Sequence, residues 1–167
     1  GYLNMLATAE ANNVSVAVLI SPHYFFNDVV NEQNIGINAG HFMNYNPNSP
    51  VARQILEDYV NQVVPLMAQY KSVGSICITN EPQLFVDTAT DNFYLEPWRE
   101  FLKETYGGDI GKLNNLWKTN YASFDECDFT DYKLNPVKNY DYKVFNDMAL
   151  AEFHTWLADV VRKAAPG

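Results

Sequence analysis

Two short, almost unbroken apolar runs restrict the fold more than anything else in the chain: Val14-Ser15-Val16-Ala17-Val18-Leu19-Ile20 and Ser75-Ile76-Cys77-Ile78-Thr79. A strand with one wet face alternates apolar and polar residues. A run without that alternation requires cover on both faces, the situation of a parallel sheet sandwiched by helices. Between the two runs, Ser49-Pro50 offers a helix N-cap followed by a first-turn proline. Ile55, Leu56, Tyr59, Val60, Val63 and Val64 then recur with the 3.6-residue period of one buried stripe. Pro65 removes an internal hydrogen bond and is expected to kink this helix, which should resume to about Lys71.

The same order continues on either side. Residues 2–12 read as helix, and a long stretch, 21–49, follows the first strand. Structureless loops of that length are usually functional or disordered. Tyr24, Phe25, Phe26, Phe42 and Tyr45 argue against disorder here. After the second strand and another loop, Glu96-Pro97 opens a helix to about Tyr106, and a shorter one spans 109–118. An acidic, aromatic loop leads to a last helix, 141–164, expected to bury Phe145, Met148, Ala149, Phe153, Trp156 and Val160. Strands alternating with helices make a βα repeat, hence a parallel α/β protein, with no tandem repeat or linker to divide it. The 167 residues fall short of the roughly 250 of a complete (β/α)₈ barrel. Gly1-Tyr2-Leu3-Asn4 reads as the inside of a helix and Ala164-Ala165-Pro166-Gly167 as a bare helix exit, so the expectation is a fragment of a longer protein.

Composition removes several functions. The net charge is −9 and the Lys/Arg residues are scattered, which disfavours nucleic acid. No apolar run reaches the roughly 20 residues of a membrane span. The two cysteines and three histidines lack any CxxC or HxxxH spacing, so no structural metal is expected. Cys77, inside an apolar strand, is expected to be a buried thiol, whereas Cys127 lies in the acidic loop. Asp125, Glu126, Asp128 and Asp131 in that loop lack the order and glycine of a calcium-binding hand and read as solvated.

In parallel α/β folds, ligands sit beyond the carboxyl ends of the strands. The ends visible here are Ser21-Pro22-His23 and Asn80-Glu81-Pro82, each opening into an aromatic loop. Poor hydration at the mouth of an apolar strand favours the proton-bearing form of a carboxyl, which suits such a group to general acid work. Glu81 is the candidate, with Asn80 beside it placed to hydrogen-bond a substrate and Pro82 stiffening the exit. The bland alternative is a solvated glutamate in a turn. His23, Tyr24 and Gln83 lie in the adjoining loops as candidate substrate contacts, and Trp117 and Trp98 offer aromatic faces on which a ligand could stack. At helical spacing with Phe101, Leu102 and Leu116, both indoles also read as core. His41 reads as solvated, and His154, inside the last helix, as packed or surface-exposed.

Strand–Asn-Glu-Pro, reached through a helix from an earlier buried strand, resembles the fourth-strand signature of clan A glycoside hydrolases. Trp98-Arg99-Glu100-Phe101-Leu102-Lys103-Glu104-Thr105-Tyr106-Gly107, continuing into Leu113-Asn114-Asn115-Leu116-Trp117-Lys118-Thr119-Asn120-Tyr121, is similar to the helical insertion after strand four in the family 42 β-galactosidases, where the pattern is WLKEKYG…LN…WGT. The likeness spans about 14–164. Two departures stand out: that family usually has Asp before Asn-Glu and no Pro after, where this chain has Thr79 and Pro82. It often has a Trp soon after the third-strand Pro, where this chain has His23-Tyr24-Phe25-Phe26. The resemblance implies a TIM barrel, of which this chain covers about strands 3 and 4 with helices 2 to 4. It implies a retaining β-glycosidase without a cofactor, Glu81 as acid/base, and a nucleophile glutamate on strand seven, beyond residue 167. The expected partner is a carbohydrate substrate. A β-glucosidase, mannanase or agarase, a non-catalytic carbohydrate-binding barrel, and an unrelated self-contained α/β domain are the alternatives.

Overall fold

The computed structural model describes residues 1–20, 45–84 and 93–166. Helix α1 (Tyr2–Ala11) leads into strand β1 (Val16–Leu19), and helix α2 (Pro50–Met67) precedes strand β2 (Val73–Cys77). Helices α3 (Leu95–Thr105) and α4 (Ile110–Trp117) follow, then two single 3₁₀ turns, Phe124–Glu126 and Tyr132–Leu134, and the long helix α5 (Pro136–Ala164). Among the described residues the sheet has two strands, paired in parallel as the apolar runs required.

The register runs Val16↔Val73, Ala17↔Ser75, Val18↔Ile76 and Leu19↔Cys77, so β2 contributes one extra residue at Gly74. A Cβ at Gly74 would lie 2.2 Å from Ser15 Oγ, so the close approach of the strands is what glycine allows there. Val18 and Ile20, with the half-buried Ile76 and Ile78, join the apolar cluster built by Leu56, Val60 and Val64 of α2 and by Phe153, Leu157 and Val160 of α5. Ala17, Leu19, Ser75 and Cys77 occupy the alternate positions and are exposed. The described residues thus cover one face of the sheet, not the two that continuous apolar runs call for. Cys77, expected in the core, stands on the uncovered face, while Cys127 from the acidic loop is fully buried. Strand parity decides the first and loop packing the second.

Local chemistry explains the helix boundaries. Ser49 Oγ accepts from the Ala52 N–H at 3.3 Å and Pro50 fills the first turn of α2. The helix runs through Pro65 and ends at Met67, short of the expected Lys71. Helix α5 begins five residues before the expected 141. Asn135 Oδ1 accepts from the Val137 and Lys138 N–H groups at 3.1 Å and Pro136 opens the helix, the same device as Ser49-Pro50. On α5, Phe145, Phe153 and Val160 are buried as expected, but Met148 is 54% exposed and Leu157 takes a core position instead. Helices α2 and α5 are clamped by Arg53, which donates to both Glu152 carboxylate oxygens (3.1 and 2.5 Å) and lies 4.9 Å from the Trp156 ring centroid.

The segment that carries the family resemblance packs through its own motif residues. Trp98 is fully buried, stacked on Phe101 and Trp117, with Phe129 and Phe145 against it at 5.2 and 5.3 Å. Trp117 Nε1 and Tyr106 Oη both donate to Asp141 Oδ2, at 2.8 and 2.5 Å. Asn114 closes the exit of α4: its Oδ1 accepts from Thr119 Oγ1 and the Tyr121 N–H, each at 2.9 Å, and its Nδ2 donates to the Tyr121 carbonyl at 2.8 Å. No helix among the described residues is long and apolar enough to cross a membrane.

Candidate active site

The carboxyl end of β2 is held at two points with a turn between them. Before the turn, Thr79 is half-buried and its hydroxyl lies 2.7 Å from His154 Nε2 of α5. The opposite ring nitrogen, Nδ1, lies 2.7 Å from the Leu150 carbonyl. A carbonyl only accepts, so Nδ1 carries a proton. In the neutral imidazole Nε2 is then the acceptor and the Thr79 hydroxyl donates to it. The Cys77 thiol donates to the Thr79 carbonyl at 3.2 Å. After the turn, Leu84 is buried again.

Between these anchors lie Asn80 and Pro82, both half-buried, and Glu81 and Gln83, both exposed. Glu81 has φ +44°, in the left-handed region, and it precedes a proline. For a residue with a Cβ that backbone costs about 1–3 kcal/mol and persists only when the surroundings over-determine it; such residues gather at functional sites. The expectation that Glu81 is poorly hydrated is not met by the described residues, which leave it exposed. His23, Tyr24 and His41 lie outside the described residues.

Trp117 moves from candidate sugar platform to core. It is 2% exposed, with one face against Trp98, the Lys138 ammonium 5.3 Å from its ring centroid and its N–H committed to Asp141. That leaves no ring face for a ligand. Trp98 is likewise enclosed. The partner of Thr79 was missed in the sequence because His154 is 75 residues away and no spacing rule joins them.

Other ionisable groups of note lie away from Glu81. Lys138 is buried, which pushes its pKa below the ordinary range; its ammonium donates to the Thr130 carbonyl at 2.6 Å and sits 3.6 Å from Asp128. Burial pushes the Cys127 thiol up to about 11, against a smaller opposing pull from Lys138 and Arg99. In the acidic loop Asp128 Oδ1 accepts from both the N–H and the hydroxyl of Thr130, and Glu126 from the Ala122 N–H. Among the described residues no three His, Cys, Asp or Glu side chains gather as a metal site would require. Two open clefts of about 660 and 760 Å³ lie among the helices, and neither is lined by residues 80–83. The strand end is therefore the candidate on backbone geometry and residue type, not on cavity size.

Residues 26–167 match the family model of glycoside hydrolase family 42, described as beta-galactosidase. The chain is also similar to the crystal structure of an apo exo-carrageenase of the same family from Bacteroides ovatus, with a TM-score of 0.67 and 26% sequence identity. The likeness covers 82% of this chain and 20% of that one, so the present chain spans about one fifth of that protein's length. No curated protein matches.

Proposed function

Since the chain belongs to glycoside hydrolase family 42, we propose that it supplies the acid/base half of a retaining β-glycosidase active site, with Glu81 as the proton-transferring group. The rest of a (β/α)₈ barrel, including the strand-seven glutamate that acts as nucleophile, comes from outside these 167 residues. The chain itself contributes strands three and four, here β1 and β2. The observation that carries the reading is the coincidence of three things at one residue. Glu81 lies within the matched span, stands four residues beyond the last residue of a parallel strand, and is held in a left-handed backbone.

In the proposed reaction, Glu81 hands its proton to the glycosidic oxygen as that bond breaks, while the nucleophile attacks the anomeric carbon. It then takes a proton from the water that releases the sugar. Two carboxyls about 5–5.5 Å apart, with an oxocarbenium-like transition state between them, give retention of configuration. Asn80 next to Glu81 is placed to bond a sugar hydroxyl beside the scissile linkage, with Gln83, His23 and Tyr24 as the further substrate contacts. No cofactor takes part in this scheme.

Replacing Glu81 with Gln in the full-length protein should lower turnover of aryl β-galactosides by about 10²–10⁴-fold. Turnover within a few-fold of wild type would remove Glu81 from the reaction. A second reading, action on carrageenan, is favoured by the likeness to the exo-carrageenase. Release of sugar from that polymer, in the absence of aryl-galactoside turnover, would select it.

A further inference from the structure

The Thr79 hydroxyl and His154 Nε2 meet at 2.7 Å immediately before the Asn80-Glu81 turn. His154 stands on a stretch of α5 that is held on both sides. Two residues before it, Glu152 is gripped by Arg53 through two hydrogen bonds, and two residues after it, Trp156 lies under the same guanidinium. Its neighbour Phe153 is fully buried. Its Nδ1–H is spent on Leu150 within its own helix. The imidazole is thus oriented by its own helix, with Nε2 facing the Thr79 hydroxyl. Thr79, being β-branched, has few χ1 states, and the bond to His154 selects one of them.

We propose that the Thr79–His154 hydrogen bond is a positioning device that fixes the end of β2 against α5 and so sets where the Glu81 carboxyl stands. The inference rests on the reading of Glu81 as acid/base. The physical need for such a device is plain in this turn. Glu81 sits in a left-handed backbone, which persists only where its surroundings hold it in place. Proton transfer requires the carboxyl within about 2.6–3.2 Å of the glycosidic oxygen. A drift of about 1 Å costs on the order of 10²-fold in rate. Leu84 anchors the far side of the turn; Thr79 anchors the near side, two residues from the carboxyl, and its hydroxyl is the only polar side-chain group there that reaches a helix among the described residues.

The test uses four variants of the full-length protein, Thr79→Val, Thr79→Ser, His154→Phe and His154→Gln, beside Glu81→Gln. Each is assayed on phenyl and dinitrophenyl β-galactosides. Phenoxide is a poor leaving group and needs the proton; dinitrophenoxide leaves with little help. Thr79→Val keeps the shape and loses the hydroxyl, while Thr79→Ser keeps the hydroxyl. His154→Gln can present an oxygen where Nε2 stood, and His154→Phe cannot. Thr79→Val and His154→Phe should each lower kcat on the phenyl glycoside by about 10–100-fold, with KM within about 3-fold. The comparison between substrates is made on kcat/KM, which reports the bond-breaking step that needs the proton, and there the loss on the dinitrophenyl glycoside should be smaller. The double variant should be no worse than either single one, and Thr79→Ser and His154→Gln should recover most of the rate. Equal losses on the two substrates, no recovery in the conservative variants, or an unchanged kcat in Thr79→Val would each overturn the proposal. If Glu81→Gln abolishes turnover while Thr79→Val does not, the positioning role fails and the acid/base reading stands. If Glu81→Gln remains active, the acid/base reading fails and takes this inference with it.

Discussion

Removing the Asp141 carboxylate should release the α3–α4 insertion from α5. Helix α4 has eight residues, too few to persist alone, so its order depends on what it packs against. Two donors converge on Asp141 Oδ2: the Tyr106 hydroxyl at 2.5 Å from the end of α3, and Trp117 Nε1 at 2.8 Å from the end of α4. Asp141 is 5% exposed and Trp117 2%. Hydrogen bonds to a charged acceptor are worth about 1.5–3 kcal/mol each, and a buried donor left without a partner costs about as much. Trp117 Nε1 can fall back on Tyr106 Oη at 3.0 Å, which recovers part of the loss. Asp141→Ala should therefore destabilise the insertion by about 3–5 kcal/mol. Asp141→Asn, which keeps an accepting oxygen but brings an amide into a buried site, should cost about 1–2 kcal/mol. Hydrogen exchange followed by mass spectrometry on the full-length protein reads this locally. Amides of α4 in Asp141→Ala should exchange about 10²–10⁴-fold faster, since each 1.4 kcal/mol is a factor of ten in the opening equilibrium. Exchange in α4 within about threefold of wild type, in a variant otherwise folded, would refute the assignment of the insertion's stability to this carboxylate.

Three further outcomes follow from burial and strand geometry. Cys127 is fully buried, so a thiol reagent should modify it only on unfolding. The folded Cys127 thiol keeps its proton to about 11 and an ordinary one loses it near 9.0, so between those values the unfolded state binds fewer protons. Raising pH through that window therefore favours unfolding, by at most about 2–3 kcal/mol in all, and Cys127→Ala should flatten this part of the pH–stability curve. A curve of unchanged slope in that variant would count against the burial argument. Gly74→Ala should gain little or lose stability alone, because the new Cβ meets Ser15 Oγ at 2.2 Å. In a Ser15→Ala background the same change should stabilise by about 0.5 kcal/mol, the usual gain from restricting the unfolded chain. Strict additivity of the two substitutions in urea unfolding would argue against the close contact.

The chain's local signals were legible to different depths. Ser49-Pro50 and the stripe through Leu56, Val60 and Val64 placed α2, because capping and helical period act over a few residues. Asn135-Pro136 was the same signal and went unread, so α5 was expected to start five residues late. The motif in α3 and α4 identified the family, yet its aromatic residues turn out to serve packing: Tyr106 and Trp117 bind Asp141, and Asn114 ties off the helix exit. An indole at helical spacing looks the same in sequence whether it faces sugar or core, and only the neighbours decide.

What the sequence determined by itself was the kind of protein: apolar runs that need a parallel partner, helices between them, and an Asn-Glu-Pro at a strand's end within a recognisable insertion. These follow from interactions local in the chain. Tertiary structure alone decided which cysteine is buried, that Trp117 is core, that Glu81 sits exposed in a left-handed turn, and that His154 meets Thr79 across 75 residues. Each of these depends on which surfaces of distant elements come together, and hydrophobic burial, which drives that assembly, carries no direction that a short window of residues can encode.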